Sequence, residues 1–260
     1  MTKTPKSDDK RSPLKDKPLR YPGQSLDSEI DEVRMNIAFY VGLAFLIATV
    51  AFYEWWHFIK KIPPQPVIAV ITAAVISLYS LMKIRQLRKR LAHLRLGRDG
   101  ERIVGQALEE LREQRYAIFH DIVGTDFNID HVVVSPHGIF AIETKTYSKP
   151  TKGNSIVAFD GEKITLPGRR PDSKPIRQSI ANANWLRNDV LLVSTGKLFP
   201  IIPVVVFPGW WVEETGKKEH VWVLNPKMLP KRISQEPISI SEADAYLAAY
   251  HLSRFVKMSS

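Results

Sequence analysis

Hydrophobic residues follow two arrangements along the chain, and the first is a pair of long runs without a charged residue. The runs are NIAFYVGLAFLIATVAFY at residues 36–53 and IPPQPVIAVITAAVISLYSLM at residues 62–82. A helix that crosses a bilayer needs roughly 20 apolar residues, and both runs are close to that length. We therefore predict a transmembrane helical hairpin over residues 36–82, with a connecting loop at residues 54–61.

A cleavable signal peptide and two buried core helices of a soluble protein are the competing interpretations of these runs. The apolar region begins too late for a signal peptide, and a second run follows the first at once. Neither run has the polar face that a helix of a soluble protein shows. Trp55 and Trp56 stand beside Lys60 and Lys61, which is typical of a membrane surface and favours the hairpin.

The second arrangement begins after residue 98 and combines the periods of helices and strands. Apolar residues at helical spacing predict a helix that starts near Gly100. Short runs rich in Val, Ile and Phe predict strands, and Asp160-Gly161 predicts a hairpin turn. The predicted strands cover 116–122, 129–135, 138–145, 155–159, 201–208 and 220–224, and further helices cover 175–192 and 241–256. This order predicts an α/β domain with a central mixed β-sheet flanked by helices.

Composition divides the remaining chain into segments. Residues 1–35 are polar and rich in Lys and Pro, which predicts a disordered tail. Residues 83–98 carry seven Lys and Arg and no Asp or Glu, which predicts a basic juxtamembrane helix on anionic lipid head groups. Nucleic-acid backbone is the second candidate ligand of that helix. We expect the globular domain at residues 99–224 and a C-terminal helical extension, packed on the domain, at residues 225–260.

The net charge of +10 is concentrated in the basic segment 83–98, because residues 99–260 are nearly neutral. The charge therefore says little about the globular domain. Lys and Arg flank the spans on the side of the chain termini, which marks that side as cytoplasmic. We predict an integral protein of the bacterial inner membrane, with both termini and the globular domain in the cytoplasm.

The absence of cysteine excludes disulfides and thiolate metal sites. Any bound metal is then held by carboxylate, imidazole, amide or carbonyl groups. This donor set favours a hard ion such as Mg²⁺ over structural zinc.

Charged residues interrupt the segment IDHVVVSPHGIFAIETK, residues 129–145, which otherwise has the pattern of a buried β-hairpin. Asp130, Glu143 and Lys145 each cost several kcal/mol to bury without a partner. Glu143 and Lys145 are two positions apart, so they share one face of their strand. They lie either at wet strand ends or in a functional site.

The length of the hairpin loop decides whether Asp130 meets Glu143 across the strand pair. If Pro136-His137 is a two-residue loop, Val134 faces Ile139 and Asp130 faces Glu143. Two carboxylates in this position repel each other, and a divalent cation beside Lys145 would neutralise them.

Glu101 is a third candidate carboxylate. It precedes Val104 and Leu108 by helical spacing, which places it on the apolar stripe of its helix rather than on the solvated face. The alternative is that Glu101 only stabilises the first turn through the helix dipole.

These residues resemble the PD-(D/E)xK nuclease core, in which an Asp and an E-x-K lie on adjacent strands with a Glu on the preceding helix. Residues 97–208 resemble in particular the nuclease-related domain (NERD) family. The shared motifs, in order, are GRDGERIVGQAL, NIDHVVVSPHGIFAIETK, KPIRQ and VVVFP. The resemblance implies a restriction-endonuclease-like core with a central mixed sheet.

The resemblance also implies a Mg²⁺ or Mn²⁺ ion at the hairpin. Asp130 and Glu143 would bind the metal, together with the backbone carbonyl of Thr144. Such an ion and a positioned Lys supply the charge neutralisation and activated water that phosphodiester hydrolysis needs.

Three further roles follow from the same resemblance. Lys145 would orient or deprotonate the attacking water and stabilise negative charge at the phosphate. Glu101 would complete the metal or water shell, and Gln178, in the P-x-x-Q of KPIRQ, would support the site from its helix.

Other polar and aromatic residues near these motifs have structural interpretations. We interpret His131 and His137 as structural, and Trp210 and Trp211 as packing residues. For Gln178 and for Asn182, one helical turn later, the alternative is that both satisfy buried backbone groups.

The sequence thus predicts a membrane-tethered, metal-dependent nuclease that acts on DNA before RNA. The alternative is a non-catalytic, membrane-anchored scaffold that keeps the nuclease fold and binds nucleic acid or lipid. The near-neutral charge of residues 99–260 favours this alternative slightly. A third hypothesis assigns the function to the membrane hairpin itself.

Overall fold

The structure, a computed structural model, describes residues 20–61, 66–125, 127–149, 155–216 and 221–258. Its helices are α1 (Gln24–Ile59), α2 (Pro66–Arg112), α3 (Lys174–Trp185), α4 (Val193–Thr195), α5 (Leu229–Ser234) and α6 (Glu242–Met258). Its strands are β1 (Ala117–Val123), β2 (Asn128–Ser135), β3 (Gly138–Thr144), β4 (Ile156–Phe159), β5 (Ile164–Thr165), β6 (Ile201–Val206), β7 (Trp211–Glu214) and β8 (Trp222–Leu224). A π-helical segment, Leu186–Leu192, joins α3 to α4.

The helices α1 and α2 are long and apolar enough to cross a membrane. Their large apolar side chains face outward, and Phe45 and Phe52 are 75% and 71% exposed. Helices buried in a soluble core would hide such side chains, so this exposure does not fit the core-helix interpretation.

The disordered tail predicted for residues 1–35 is wrong for residues 24–35, which form the start of α1. The apolar stripe of this segment explains the difference, because Ile30 and Val33 are buried against Leu91 of α2. Residues 1–19 lie outside the described residues.

Two other predicted boundaries also differ from the structure. Residues 54–59 of the predicted loop continue α1 to Ile59. The boundary predicted between residues 98 and 99 lies inside α2, which runs from the apolar segment through the basic segment into the globular domain. The basic segment is helical, as predicted.

The central sheet confirms the predicted α/β fold. Within the described residues it contains β1, β2, β3, β6 and β8 in that order. The first three strands are antiparallel, and β3, β6 and β8 are parallel, so the sheet is mixed. A smaller sheet with the order β5-β4-β7 stands beside it, and of its strands only β4 was predicted.

Helices cover both faces of the central sheet and bury its apolar side chains. On one face, Val104 and Leu108 of α2 pack with residues of α5 against Phe140 and Ile142. On the other face, residues of α3 and α6 pack against a core that includes Ile139 and Ala141. The C-terminal helix α6 therefore belongs to the core of the domain.

The hairpin between β2 and β3 has the two-residue loop that sequence predicted. Val134 pairs with Ile139, and Ser135 pairs with Gly138. Gly138 has φ +133°, which a residue with a side chain rarely adopts. The pair His131–Ile142 continues this register and brings Asp130 opposite Glu143.

Candidate functional site

The candidate site lies where β3 ends, between strand β2 and helix α3. Asp130 and Glu143 both belong to the face of the sheet that α3 covers, because side chains alternate along a strand. The Oδ2 atom of Asp130 accepts a hydrogen bond of 2.6 Å from the backbone N–H of Thr144. This bond fixes the carboxylate of Asp130 against the end of β3.

Lys145 and two residues of α3 hold Glu143. The Lys145 Nζ atom donates to Glu143 Oε1 at 2.7 Å and to Gln178 Oε1 at 3.0 Å. Asn182 Nδ2 donates to Glu143 Oε2 at 3.0 Å. Gln178 and Asn182 are one helical turn apart, so both point from α3 toward the same strand end.

Glu101 approaches the site from α2, on the opposite face of the sheet, and only 8% of it is exposed. Burial raises the pKa of its carboxyl, and the nearby backbone N–H of Gly23, the residue before α1, opposes that rise. The neighbouring Gly100 lies so close to Thr146 that a Cβ atom there would be 1.8 Å from Thr146 Oγ1. Glycine at position 100 therefore allows α2 to contact the chain that leaves β3.

Burial and mutual repulsion change the protonation of the three carboxyl groups. Burial, followed by the charges of Asp121 and Glu143, raises the pKa of Glu101 to about 8. Burial, followed by the charges of Glu143 and Glu101, raises the pKa of Asp130 well above its ordinary value. Burial also raises the pKa of Glu143, against the opposing effects of Lys145 and Asn182. A cation at this site would relieve the repulsion.

Lys145 remains charged at neutral pH. Burial by itself would lower the pKa of this amine, but the carboxylates of Glu143 and Asp130 outweigh burial and raise it. The site therefore contains one positive group among several carboxyl groups.

The oxygen donors of the site suit a hard divalent ion. Asp130 and Glu143 present carboxylate oxygens, and an ionised carboxylate has about four lone-pair positions, so the observed hydrogen bonds leave some of them free. Among the described residues, no set of three or more His, Asp and Glu side chains is placed to hold one ion.

The structure brings together the residues that were predicted for the site, and it adds Asn182. Asp130, Glu143, Lys145 and Gln178 meet through the contacts described above. The alternative for Gln178 and Asn182, that they satisfy buried backbone groups, does not describe their contacts, because Gln178 binds Lys145 and Asn182 binds Glu143. The spacing of Asn182, one turn from Gln178, was the signal in the sequence.

The two histidines contact other parts of the domain. His131 is fully buried and its Nδ1 lies 2.8 Å from Nδ1 of His120 on β1, on the face of the sheet away from Asp130. The Nδ1 atom of His137 contacts the backbone carbonyl of Glu236. Both contacts are structural, as predicted.

The two tryptophans after β6 differ from each other. Trp210 is buried and its Nε1 donates to the backbone carbonyl of Tyr147 at 3.1 Å, as expected for a packing residue. Trp211 is 67% exposed, so the packing interpretation is wrong for this residue.

Comparisons with known proteins relate parts of the chain to other sequences. A segment of 56 residues, 20% of the chain, is 34% identical to an uncharacterized protein of Bacillus anthracis and spans about a quarter (26%) of that protein. No solved structure matches the chain. The family model of the nuclease-related domain matches residues 96–208, which include every predicted site residue. Residues 96–208 of this chain belong to the nuclease-related domain (NERD) family.

Proposed function

We propose that this chain is a membrane-tethered, metal-dependent nuclease that hydrolyses phosphodiester bonds, with DNA preferred over RNA. The observation that supports the proposal most is the placement of Lys145. Its Nζ atom lies 2.7 Å from Glu143, which stands opposite Asp130, inside a domain of the nuclease-related family.

Asp130 and Glu143 would hold the metal, with the backbone carbonyl of Thr144 as a third oxygen ligand. A bound Mg²⁺ or Mn²⁺ ion would neutralise phosphate charge and lower the pKa of a water molecule. The protein fixes Asp130 through the Thr144 N–H and Glu143 through Asn182. Both carboxylates are thus oriented before the substrate arrives, which lowers the cost of reaching the transition state.

Lys145 stabilises the negative charge that develops on the phosphate during in-line attack. Its pKa is raised by Glu143 and Asp130, so the amine keeps its proton at neutral pH. This favours charge stabilisation and orientation of the water over removal of a proton by Lys145. Gln178 accepts from the same Nζ atom at 3.0 Å and limits the positions of the amine.

The proposal is tested by incubating the full chain, in lipid nanodiscs, with DNA and RNA in the presence of magnesium or manganese. Wild type is expected to cut DNA, and Lys145→Ala is expected to lower the rate by about a hundredfold or more. Lys163→Ala, in an exposed turn, removes the same charge far from the site and serves as the control. Unchanged cleavage by Lys145→Ala would contradict the assignment.

Binding without turnover is the second candidate, because residues 99–260 carry almost no net charge, whereas a nuclease groove is usually basic. The same reactions distinguish the two functions. DNA binding that weakens steeply with salt, with no cleavage under any divalent metal, would favour the scaffold.

The membrane tether is proposed from α1 and α2. If both helices span the bilayer, both chain termini would lie on one side of it. The exposed Arg85, Arg88 and Lys89 lie directly after the second apolar segment, where anionic lipid would contact them. Arg90 and Arg98 instead pair with Glu29 and with the carboxylates of Asp27 and Asp99.

The chain has no cysteine, so maleimide labelling of a single introduced cysteine shows on which side of the membrane that position lies. We expect an impermeant maleimide to label Lys60→Cys in intact cells and Arg254→Cys only after lysis. Labelling of Arg254→Cys in intact cells, or a chain found entirely in the soluble fraction, would contradict the proposed topology.

A further inference from the structure

Asp121 of β1 is a buried carboxylate that binds a segment about a hundred positions earlier in the chain. Only 1% of Asp121 is exposed. Its Oδ2 atom accepts from Arg20 Nε at 2.8 Å, pairs with Arg20 Nη2 at 2.7 Å, and accepts from the backbone N–H of Ser25 at 2.9 Å. Asn128 Nδ2 donates to Oδ1 at 3.1 Å. A buried carboxylate needs such partners, because without them it costs several kcal/mol.

Asp121 lies on β1 at a point where the pairing with β2 is interrupted. The pairs His120–His131 and Ile122–Ile129 lie on either side of it. Asp121 has φ +52°, a left-handed conformation that Asp and Asn adopt more readily than most residues. Its carboxylate binds Arg20 and Ser25, so it is neutralised by protein groups rather than by whatever occupies the site.

The segment that Asp121 binds, residues 20–25, is here called the N-terminal strap, and it also lies against the turn of α2 that carries Glu101. A Cβ atom on Gly23 would be 2.9 Å from Arg98 Cγ. The strap lies close to α2, because a Cβ atom on Gly105 would be 2.4 Å from Pro22 Cγ. Gly23 has φ +76°, so glycine is the residue that permits this path.

A second group of ion pairs fixes the strap beside Glu101. Asp27, in the first turn of α1, accepts from Arg98 Nη1 at 3.2 Å and from Arg102 Nη2 at 2.8 Å. Tyr21 of the strap donates its hydroxyl to Asp27 Oδ2 at 3.1 Å. Arg98 and Arg102 flank Glu101 on α2, so the strap is held on both sides of that residue.

We propose that Arg20 and Asp121 are positioning residues of the candidate nuclease site, because they hold the N-terminal strap against Glu101. The inference rests on the proposed nuclease function. Arg20 and the strap precede residue 96, where the family match begins. The strap that packs beside Glu101 therefore lies outside the matched range, on the other side of the two long apolar helices in sequence.

The test compares Arg20→Ala, Arg20→Lys and Asp121→Asn in the full chain in nanodiscs. Asparagine keeps the left-handed backbone accessible at position 121, so Asp121→Asn changes charge with little backbone strain. Arg34→Ala is the matched control, because the partner of exposed Arg34 among the described residues is Asp31, three positions earlier on α1. The measured quantities are kcat and KM for DNA cleavage, the melting temperature, and amide hydrogen exchange.

We expect Arg20→Ala and Asp121→Asn to lower kcat by about tenfold or more, which is typical when the support of a site residue is lost. KM is expected to change less than about twofold, because the strap does not contact DNA in this account. Arg20→Lys keeps the charge but loses the two-nitrogen contact, so its kcat should be intermediate. Arg34→Ala should cut like wild type.

A wild-type kcat in Arg20→Ala would overturn the inference, and a higher kcat would show that the strap occludes the site instead. An equal loss in Arg34→Ala, together with a lower melting temperature in every variant, would assign the effect to general destabilisation and also overturn it.

A wild-type chain that cuts no nucleic acid with any divalent metal would end the proposed function but not decide the inference. Hydrogen exchange then decides it. Amides of Gly23 and Ser25 that exchange about tenfold faster in Arg20→Ala and Asp121→Asn than in Arg34→Ala would support the role of these residues in holding the strap at Glu101. Unchanged exchange would overturn it.

Discussion

At the scale of single residues, Glu143 explains why a buried hairpin carries charge. Each of its carboxylate oxygens has a side-chain donor, Lys145 on one and Asn182 on the other. A buried charge is tolerable only with such partners. The charges in the segment 129–145 therefore belong to one network rather than to separate wet strand ends.

The ionised form of Glu101 destabilises the folded domain, although the proposed nuclease activity uses this carboxylate. Burial and neighbouring carboxylates raise its pKa to about 8. The folded chain thus binds more protons than the unfolded chain between its ordinary pKa and about 8, and stability falls as pH rises through that range.

Glu101→Gln should remove this destabilisation, because glutamine does not ionise. Without divalent metal, we expect a melting temperature above that of wild type, by an amount that corresponds to roughly 1 kcal/mol at pH 5 and to about 4 kcal/mol at pH 9. DNA cleavage should fall at least about tenfold. Glu110→Gln, on the exposed face of α2, is the control and should change neither quantity. A lower melting temperature for Glu101→Gln would contradict the assignment of strain to this carboxyl.

The buried histidine pair predicts how stability depends on acid. Burial, followed by the charge of Arg112, lowers the pKa of His120 to about 4, and burial also lowers the pKa of His131. The unfolded chain then binds more protons between about pH 6.5 and 4, so stability is complete above that window and is lost as pH falls through it. For His120 the loss is roughly 3 kcal/mol.

His120→Asn should weaken this dependence, because Asn does not titrate and still presents a polar atom near the Nδ1 position. We expect the melting temperature of wild type to drop more between pH 7 and pH 5 than that of the variant. The same drop in both proteins would show that the His120–His131 pair does not govern acid stability.

At the scale of elements, the contact between α2 and the end of β3 decides where Glu101 lies. Gly100 makes this contact possible, because a Cβ atom would meet Thr146 Oγ1 and Cβ at 1.8 and 2.9 Å. Thr146 is a short, branched side chain, so it cannot move aside as the end of a long side chain would.

Gly100→Ala is therefore expected to destabilise the domain by about 1–3 kcal/mol and to lower cleavage, since α2 must move away from β3. Gly42→Ala is the matched control, because nothing lies within 4 Å of a Cβ atom at that helical position. The control should be neutral or slightly stabilising, as Ala favours helix over Gly. Equal melting temperatures for the two variants would contradict the close contact.

At the scale of the whole molecule, α2 connects the apolar segment to the site without a break. Glu101 follows the last residue of that segment, Met82, by 19 positions on the same helix, which corresponds to about 28 Å along its axis. In the proposed topology, this helix holds the site at a fixed height above the bilayer. The site then acts on nucleic acid that comes close to the membrane surface.

Local patterns were sufficient to predict the central sheet and most of the site. The Pro136-His137 loop determined the register, and the register placed Asp130 opposite Glu143. The period of the apolar residues placed Glu101 on the buried face of α2.

Long-range contacts account for what the sequence could not predict. The ion pair between Arg20 and Asp121 joins residues 101 positions apart, and the polar segment before the long apolar helix has the composition of a disordered tail. The strand β7 was missed because its pairing with β4 depends on tertiary packing rather than on its own short pattern.

The most direct test of the metal site is the anomalous diffraction of manganese in crystals of the full chain. The account predicts one Mn²⁺ ion that both Asp130 and Glu143 bind, with metal–oxygen distances of about 2.1 Å, as in magnesium sites, and Lys145 beside it. An ion bound elsewhere, or no ion at millimolar manganese, would contradict the claim that these two carboxylates form the metal site of a nuclease.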